Sequence, residues 1–250
     1  MAHSEVAPAL LEQLRALSTC VVASAIETFQ VRLPNAGFAD SRVRSIFPEL
    51  PAIIGYAATA RVRSSMPPMS GGTYYARPHW WKAILEIPAP RIVVLQDEDD
   101  PPGLGGFVGE VHANALSALR CSGLVTNGGV RDLPQVRAIP FPMFAGNVAV
   151  SHAYAHISGF GQDVELGGLK VRPGDLLMAD LHGVLSIPVE IAERVPAVAA
   201  RILTARREMV SVCRSEMFSV ERLRQTGESY GFIRDQEQEM QKTGNKRGGS

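Results

Sequence analysis

Cysteine is scarce in this sequence, and the three cysteines present form no recognisable pattern. Cys20, Cys121 and Cys213 lie far apart and include no Cys-x-x-Cys pair. Their spacing fits neither a zinc knuckle nor a disulfide framework. We therefore expect a protein of the reducing cytoplasm.

Net charge is also lacking, because 25 Lys and Arg residues balance 25 Asp and Glu residues. A neutral chain has no overall field of the kind that draws a protein to nucleic acid. Apolar runs stay below the ~18 residues of a membrane-spanning helix, and the N-terminus lacks the basic start and apolar run of a signal peptide. We expect neither nucleic acid nor a membrane as a partner.

The hydrophobic content, 46% of 250 residues, is sufficient for one large core. We predict a single domain over residues 1–235 and a disordered polar tail over 236–250. Helical and strand patterns alternate up to residue 147, which indicates a largely parallel α/β sheet covered by helices. Predicted helices lie at 8–17, 20–29, 79–87, 110–121, 133–139 and 189–215. Predicted strands lie at 52–64, 91–97, 123–127, 141–147 and 149–157, followed by short strands and turns over 164–188.

Residues 103–132 carry the strongest functional signal. A glycine-rich turn precedes a predicted helix, and Glu110, Arg131 and Asp132 fall at loop ends. Backbone N–H groups at a helix start favour a bound carboxylate or phosphate. Val108 stands where a dinucleotide-binding turn needs glycine, and no P-loop lysine follows. The alternative is that these glycines only permit a sharp turn.

Arg131 and Asp132 have complementary chemistry. A guanidinium suits a carboxylate ligand, and an aspartate at a loop end can bind magnesium, which typically takes only one or two protein carboxylates. The structural alternative is a surface salt bridge, or an Asp132 side chain that caps the helix at 133–139.

The histidines offer a competing metal site, which we reject. His152 and His156 lie four residues apart, and on the predicted strand their side chains would be about 13 Å apart. We interpret them as part of a polar sheet face, with a pocket wall as the alternative, and His182 as structural. Trp80 and Trp81 are interpreted as interface residues rather than a ligand platform.

Taken together, these motifs resemble those of the class II 4-hydroxy-4-methyl-2-oxoglutarate/4-carboxy-4-hydroxy-2-oxoadipate aldolases and their relatives, the regulators of ribonuclease activity A. The aldolases carry an acidic residue, twenty residues and then Arg-Asp, as do Glu110, Arg131 and Asp132 here. The resemblance also covers STCVVASAIETF and GGLKVRPGDLLMADLHGVLSIP, and extends over residues 10–215.

The resemblance implies an α/β/β sandwich of the swivelling-domain kind, with N-terminal helices and a C-terminal helix, assembled as homotrimers or homohexamers. It implies that Asp132 binds Mg²⁺ or Mn²⁺ and that Arg131 contacts a 2-oxo acid. Gly109 and the backbone N–H groups of Val111 and His112 would bind the substrate carboxylate, and Glu110 would position a catalytic water.

One position departs from the aldolase pattern. Gln135 stands where the aldolases usually carry an acidic residue that helps to hold metal-bound water. In the aldolases a neighbouring subunit supplies a proton-accepting glutamate from its C-terminal helix, for which Glu208 is a candidate.

The expected activity is a metal-dependent retro-aldol cleavage that releases pyruvate, with oxaloacetate decarboxylation at the same site. One alternative is another enolate-forming lyase, such as a dehydratase. The other is a non-catalytic regulator that binds a protein partner, as the ribonuclease regulators do.

Overall fold

The computed structural model describes residues 5–68 and 78–228. The predicted tail at 236–250 lies outside these residues, and the predicted boundary at 235 stays a prediction. Within the described ranges no single helix is long and apolar enough to cross a membrane. One pair of helices, Pro8–Arg15 and Thr19–Thr28, would be long and apolar enough only if the two were joined, and they are bent by 111° relative to each other.

The helices agree with the predicted ones to within a few residues at most ends. They are α1 (Pro8–Arg15), α2 (Thr19–Thr28), α3 (Pro78–Glu86), α4 (Glu110–Ala118), α5 (Leu133–Ala138) and α6 (Val195–Cys213). A 3₁₀ turn at Ala192–Arg194 precedes α6, and residues 220–228 are also helical. The last long helix was predicted to start at 189 and begins later, because Pro196 occupies its first turn, where proline is favoured.

The strands form a large mixed sheet and two small ones. The large sheet contains β1 (Arg44–Ser45), β2 (Ile53–Arg63), β3 (Arg91–Asp97), β5 (Cys121–Thr126), β7 (Met143–Ala145), β9 (His156–Phe160), β12 (Leu176–Asp180) and β13 (Gly183–Ser186). The small sheets contain β4 (Gly106–Val108), β6 (Gly129–Val130) and β8 (Asn147–Val148), and the hairpin β10 (Val164–Leu166) and β11 (Leu169–Val171).

The order of the large sheet is β1-β7-β5-β3-β2-β12-β13, with β9 also paired to β2. Strands β2, β3, β5 and β7 are parallel, as the alternation of helices and strands predicts. Strands β9, β12 and β13 add antiparallel pairs. The small parallel sheet β4-β6-β8 brings the glycine-rich turn and the Arg-Asp segment together.

The two faces of the sheet belong to different apolar clusters. On β2, Ile54 and Tyr56 pack in the cluster that includes the helices, whereas Ile53 and Ala57 pack in the cluster that includes the β10–β11 hairpin. This two-residue period follows from the strand pleat. Helices on one face and a hairpin on the other make the predicted α/β/β arrangement.

The predicted strand at 149–157 is wrong over most of its length. The main chain there bonds to loops and to the small sheet: Ser151 O accepts from Gly106 N at 2.8 Å, and Tyr154 N donates to Ser64 O at 3.0 Å. Ala153 has a φ of 48°, which is outside the strand region. The alternation of small and large residues therefore does not reflect a sheet face, and β9 begins only at His156.

Asp180 ties the end of β12 to the start of α2. Its carboxylate accepts from Thr19 N at 2.8 Å, from Thr19 Oγ1 at 2.7 Å and from His182 N at 2.9 Å. His182 Nδ1 lies 3.1 Å from Asp180 Oδ1, which supports the structural role predicted for this histidine. Ser18 caps α2, because its Oγ accepts from Val21 N.

Asp180→Asn is expected to destabilise the fold by about 1.5–3 kcal/mol, the scale of hydrogen bonds to a charged group. Burial alone would raise the pKa of Asp180, but the hydrogen bonds from Thr19 and His182 lower it. Because the folded pKa lies below the unfolded value, this stability is present above about pH 4 and is lost as the pH falls through the folded pKa. Urea unfolding of wild type and variant at several pH values measures the difference.

The control is Asp163→Asn, because the Asp163 side chain is 72% exposed and pairs with Arg172 only at 3.7 Å. This control should leave the unfolding free energy nearly unchanged. Equal stability of Asp180→Asn and wild type at pH 7 would contradict the assigned role.

Candidate active site at the start of helix α4

The start of α4 and the end of β6 meet at the Arg-Asp pair. Asp132 Oδ2 accepts from Glu110 N at 3.1 Å, and Asp132 Oδ1 lies 3.1 Å from Arg131 Nε. The Arg131 and Asp132 side chains are 27% and 31% exposed. The three charged residues predicted for the site are therefore adjacent, although only the backbone of Glu110 is bonded to the pair.

Asp132 occupies the N-cap position of α5 but makes no side-chain cap bond to that helix. Its backbone is left-handed, with φ 55° and ψ 40°, a conformation that aspartate tolerates better than most residues. The carboxylate instead contacts the start of α4. Of the structural alternatives, the cap to α5 is wrong, whereas the salt bridge to Arg131 is present.

Gly109 allows this approach. A Cβ at this position would collide with Asp132 Oδ2 and lie 3.0 Å from Arg131 Cγ. The backbone of Gly109 is extended, with φ −135° and ψ −156°, so a larger residue is opposed here by the Asp132 side chain and not by the dihedral angles.

The electrostatics keep Asp132 ionised. Burial on its own would raise the pKa of Asp132, but the Glu110 N–H and the Arg131 guanidinium bring it below its usual value, and His152 acts in the same direction. An ionised, partly exposed carboxylate is the form that binds a hard cation.

Val111 and His112 lie in the first turn of α4. The first intrahelical bond runs from Ala113 N to Gly109 O, so the N–H groups of Glu110, Val111 and His112 all precede it. The Glu110 N–H donates to Asp132, and Val111 is 57% exposed. Glu110 and Val111 are thus exposed to solvent next to the Arg-Asp pair, as an anion site at a helix start requires, whereas Gly109 and His112 are buried.

The His112 side chain is directed into the core and not towards the solvent. It is 2% exposed and packs against Phe107 at 4.8 Å and Trp81 at 5.9 Å between ring centroids. Burial lowers the pKa of His112 to about 4, and His152 adds to the effect. The imidazole is therefore neutral at pH 7 and supplies no charge to the site.

The tryptophans divide between core and surface. Trp80 is 2% exposed and contacts Phe107 with ring centroids 5.7 Å apart, so it is a core residue. Trp81 is partly buried and lies over His112. The interface prediction therefore applies only to Trp81.

His152 reaches the site and does not belong to the polar sheet face that the sequence predicts. Its Nδ1 lies 2.8 Å from Gly106 O, and it is close enough to Asp132 and His112 to lower the pKa of both. His156 instead contacts the neighbouring Tyr154 O at 2.7 Å. Nothing in the local sequence distinguishes these two histidines.

Asp97 also lies beside the site, although none of the predicted site motifs includes it. This residue is 4% exposed, and its Oδ2 accepts from Gly103 N at 2.8 Å. Burial raises the pKa of Asp97, and the Gly103 bond opposes that effect. Asn147 Nδ2 donates to Gly103 O at 3.2 Å, so both main-chain groups of this glycine are held. The run DEDD at 97–100, directly before the glycines, was an available signal.

The fit to a divalent cation rests on one carboxylate. Within the described residues no group of three or more His, Cys, Asp or Glu side chains is placed to hold a metal. Gln135 is exposed on α5 and adds no charge. Each Asp132 oxygen accepts one bond and keeps a further lone pair. A magnesium ion that keeps most of its waters is compatible with this donor set.

A family model described as RraA-like, aldolase/RraA, matches residues 19–186. The chain belongs to the RraA-like family. That family includes both aldolases and regulators of ribonucleases. A relative from Halalkalibacterium halodurans, named "Putative 4-hydroxy-4-methyl-2-oxoglutarate aldolase", is 28% identical over 108 residues. The match covers 43% of this chain and 50% of that relative, so it spans only half the relative's length.

Two solved structures confirm the RraA-like fold. A protein from Pseudomonas syringae pv. tomato, described as uncharacterized, superposes with a TM-score of 0.70 and 18% sequence identity. The match covers 90% of this chain and 97% of that protein. Streptomyces coelicolor RraAS2, described as an unusual member of the RNase ES inhibitor RraA protein family, superposes with a TM-score of 0.64 and 21% sequence identity. The match covers 84% of this chain and 100% of that protein. At these identities the likeness shows the fold alone.

Proposed function

We propose that this RraA-like protein is a divalent-metal-dependent lyase that cleaves a carbon–carbon bond of a small 4-hydroxy-2-oxo acid and releases pyruvate. The observation that supports the proposal most strongly is the contact of Asp132 with the start of α4 beside Arg131. This places an ionised carboxylate, a guanidinium and a helix start together, and these groups suit a cation and the two ends of a 2-oxo acid.

Each residue has one role in this proposal. Asp132 holds Mg²⁺ or Mn²⁺, and the N–H groups of Val111 and His112 bind the substrate carboxylate at the space beside Gly109. Arg131 lies next to the 2-oxo group. When bound, the metal supplies positive charge that polarises the 2-oxo group.

The reaction breaks the C3–C4 bond after the 4-hydroxyl proton is lost, which leaves a carbonyl product and pyruvate enolate. Arg131 stabilises the negative charge that develops on the enolate oxygen. A water positioned by Glu110 returns a proton to C3. Oxaloacetate gives the same enolate by losing carbon dioxide, so both reactions share the site.

The group that accepts the 4-hydroxyl proton is a separate proposal. Glu208 is exposed on α6 and has no place in the cluster around Asp132. We propose that it acts in a neighbouring subunit of a homotrimer or homohexamer. We further propose that the protein acts in the cytoplasm, where 2-oxo acids are abundant metabolites.

The competing function is that of a non-catalytic regulator, because the family includes ribonuclease regulators. The spatial meeting of Arg131, Asp132 and the α4 start favours the lyase, since a protein that only contacts a partner needs no partly buried carboxylate beside a helix start. A dehydratase would use the same residues to form an enolate, but it would break a carbon–oxygen bond instead of a carbon–carbon bond.

Metal removal is expected to abolish turnover. Oxaloacetate decarboxylation and retro-aldol cleavage of 4-hydroxy-4-methyl-2-oxoglutarate, both followed by coupled detection of pyruvate, should require added Mg²⁺ or Mn²⁺. We expect exhaustive chelation to lower both rates by at least about a hundredfold, the scale at which loss of one electrostatic stabiliser acts. Re-adding the metal should restore them together.

Calcium re-addition is the control: Ca²⁺ is larger than Mg²⁺ and its coordination is more flexible, so it should restore less activity than Mg²⁺ does. Full activity after chelation would refute the metal-dependent lyase. Absence of turnover of any 2-oxo acid with metal present would instead favour the regulator.

A further inference from the structure

The main chain of Gly106 is held at both of its polar groups by the segment at 151–152. Gly106 N donates to Ser151 O at 2.8 Å, and His152 Nδ1 lies 2.8 Å from Gly106 O. Since a carbonyl oxygen only accepts, the proton of the imidazole resides on Nδ1 when this bond forms. The bond links residues 46 apart in sequence, so it is a tertiary contact and not part of a local turn.

Gly106 also lies against the side chain of Arg131. A Cβ at Gly106 would come within 3.2 Å of Arg131 Cγ and 3.3 Å of Arg131 Cβ. Arg131 N donates to Val108 O at 3.0 Å, two residues further along β4. The stem of Arg131 therefore rests on the strand whose first residue is fixed by His152.

The contacts of Gly105 also hold the glycine-rich turn close to residues 151–152. Gly105 N donates to Ser64 Oγ at 3.1 Å, and a Cβ at Gly105 would collide with the carbonyl of His152. The glycine-rich turn thus packs tightly against the 151–152 segment. Among these contacts only the imidazole bond comes from a side chain of that segment, so it is the contact that a substitution can remove.

We propose that His152 is a positioning residue, whose Nδ1–H bond to the Gly106 carbonyl fixes the surface on which Arg131 lies and thereby aims the guanidinium at the substrate. This inference rests on the proposed lyase function for its kinetic consequence. The structural part, the control of Gly106 by His152, stands independently of that function.

The test compares His152→Ala with His152→Asn, with His156→Ala as the matched control. Asparagine places an amide N–H close to the position of Nδ1 and keeps the bond, whereas alanine removes it. His156 is also bonded to a backbone carbonyl through Nδ1, but to its neighbour Tyr154 and not to the site. Pyruvate release from oxaloacetate gives kcat and KM, and hydrogen exchange over residues 105–109 reports on the turn.

His152→Ala is expected to lower kcat by about 10- to 100-fold, the scale of a group misplaced by about 1 Å. The change in KM should be smaller than about threefold, because the substrate carboxylate is bound by α4 and not by Arg131. His152→Asn should recover most of kcat, and His156→Ala should behave as wild type. Exchange over 105–109 should rise only in His152→Ala.

The outcomes separate this inference from the lyase proposal. If wild type is inactive, the exchange comparison still decides whether His152 controls Gly106. If wild type is active and His152→Ala matches it in kcat, the positioning role is refuted while the lyase stands. A fall in kcat that asparagine does not rescue would also overturn it, since the donor at Nδ1 would not be the property that matters.

Discussion

Asp132→Asn is expected to reduce pyruvate formation by at least about a hundredfold, the scale of removing one electrostatic stabiliser from an active site. Asparagine preserves the shape and can still accept from Glu110 N, which lies 3.1 Å from Asp132 Oδ2. The change therefore removes the charge together with one hydrogen bond, because the amide nitrogen that replaces Asp132 Oδ1 cannot accept from Arg131 Nε. A neutral side chain binds a hard cation far less well, so the magnesium concentration for half-maximal activity should rise.

The matched control for this substitution is Asp40→Asn. Asp40 pairs with a nearby arginine, Arg42, at 2.6 Å, and hydrogen bonds from Arg42 lower its pKa. It lies outside the site and should leave kcat and the metal dependence unchanged. A folded Asp132→Asn protein with wild-type rates and an unchanged magnesium concentration for half-maximal activity would refute the metal-binding role of Asp132.

Most of the fold was predictable because its central elements have strong periodic patterns. Strand β3 has the predicted limits, and α3 differs by one residue at each end. The small sheet β4-β6-β8 was not predicted, because strands of two or three residues carry no measurable alternation. The segment at 149–155 was misread for the opposite reason: its alternation arises by chance in a loop that is shaped by contacts with Gly105 and Gly106.

The site was predictable where its residues lie near glycines or next to each other. Arg131 and Asp132 are neighbours, and Glu110 follows Gly109 at a helix start, so their chemistry is visible in the sequence. His152 and Asp97 reach the site through hydrogen bonds to the main chain of Gly106 and Gly103. Such contacts depend on the fold, so sequence alone gives a candidate site without the residues that position it.

The position of Gln135 gives a physical reason to expect weak metal binding. It is exposed on α5, one turn after Asp132, where the aldolase pattern has a carboxylate. A carboxamide can orient a metal-bound water but adds no negative charge, and loss of such a supporting group typically costs about 10–100-fold in metal affinity. Low affinity would make activity depend steeply on magnesium and easy to overlook in assays without added metal.

Gly109→Ala is expected to inactivate the site by sterics alone. The added Cβ would collide with Asp132 Oδ2, and Arg131 Cγ would be 3.0 Å away. Both neighbours belong to the proposed site, and the extended backbone of Gly109 accepts alanine without dihedral strain. The carboxylate must therefore leave the Glu110 N–H, or the start of α4 must shift. Either movement would separate Asp132 from the N–H groups that we propose bind the substrate carboxylate.

We expect kcat/KM of Gly109→Ala to fall by about a hundredfold or more, because misplacement by about 1 Å has that effect on positioned groups. The overpacking should also cost about 1–3 kcal/mol of folding stability. Gly227→Ala is the control: its nearest atom is Met209 Cε at 3.9 Å, and alanine favours the helix at 220–228. Full activity in Gly109→Ala would contradict this prediction. It would show that Asp132 can move away from α4 without loss of activity, so their close contact would not contribute to catalysis.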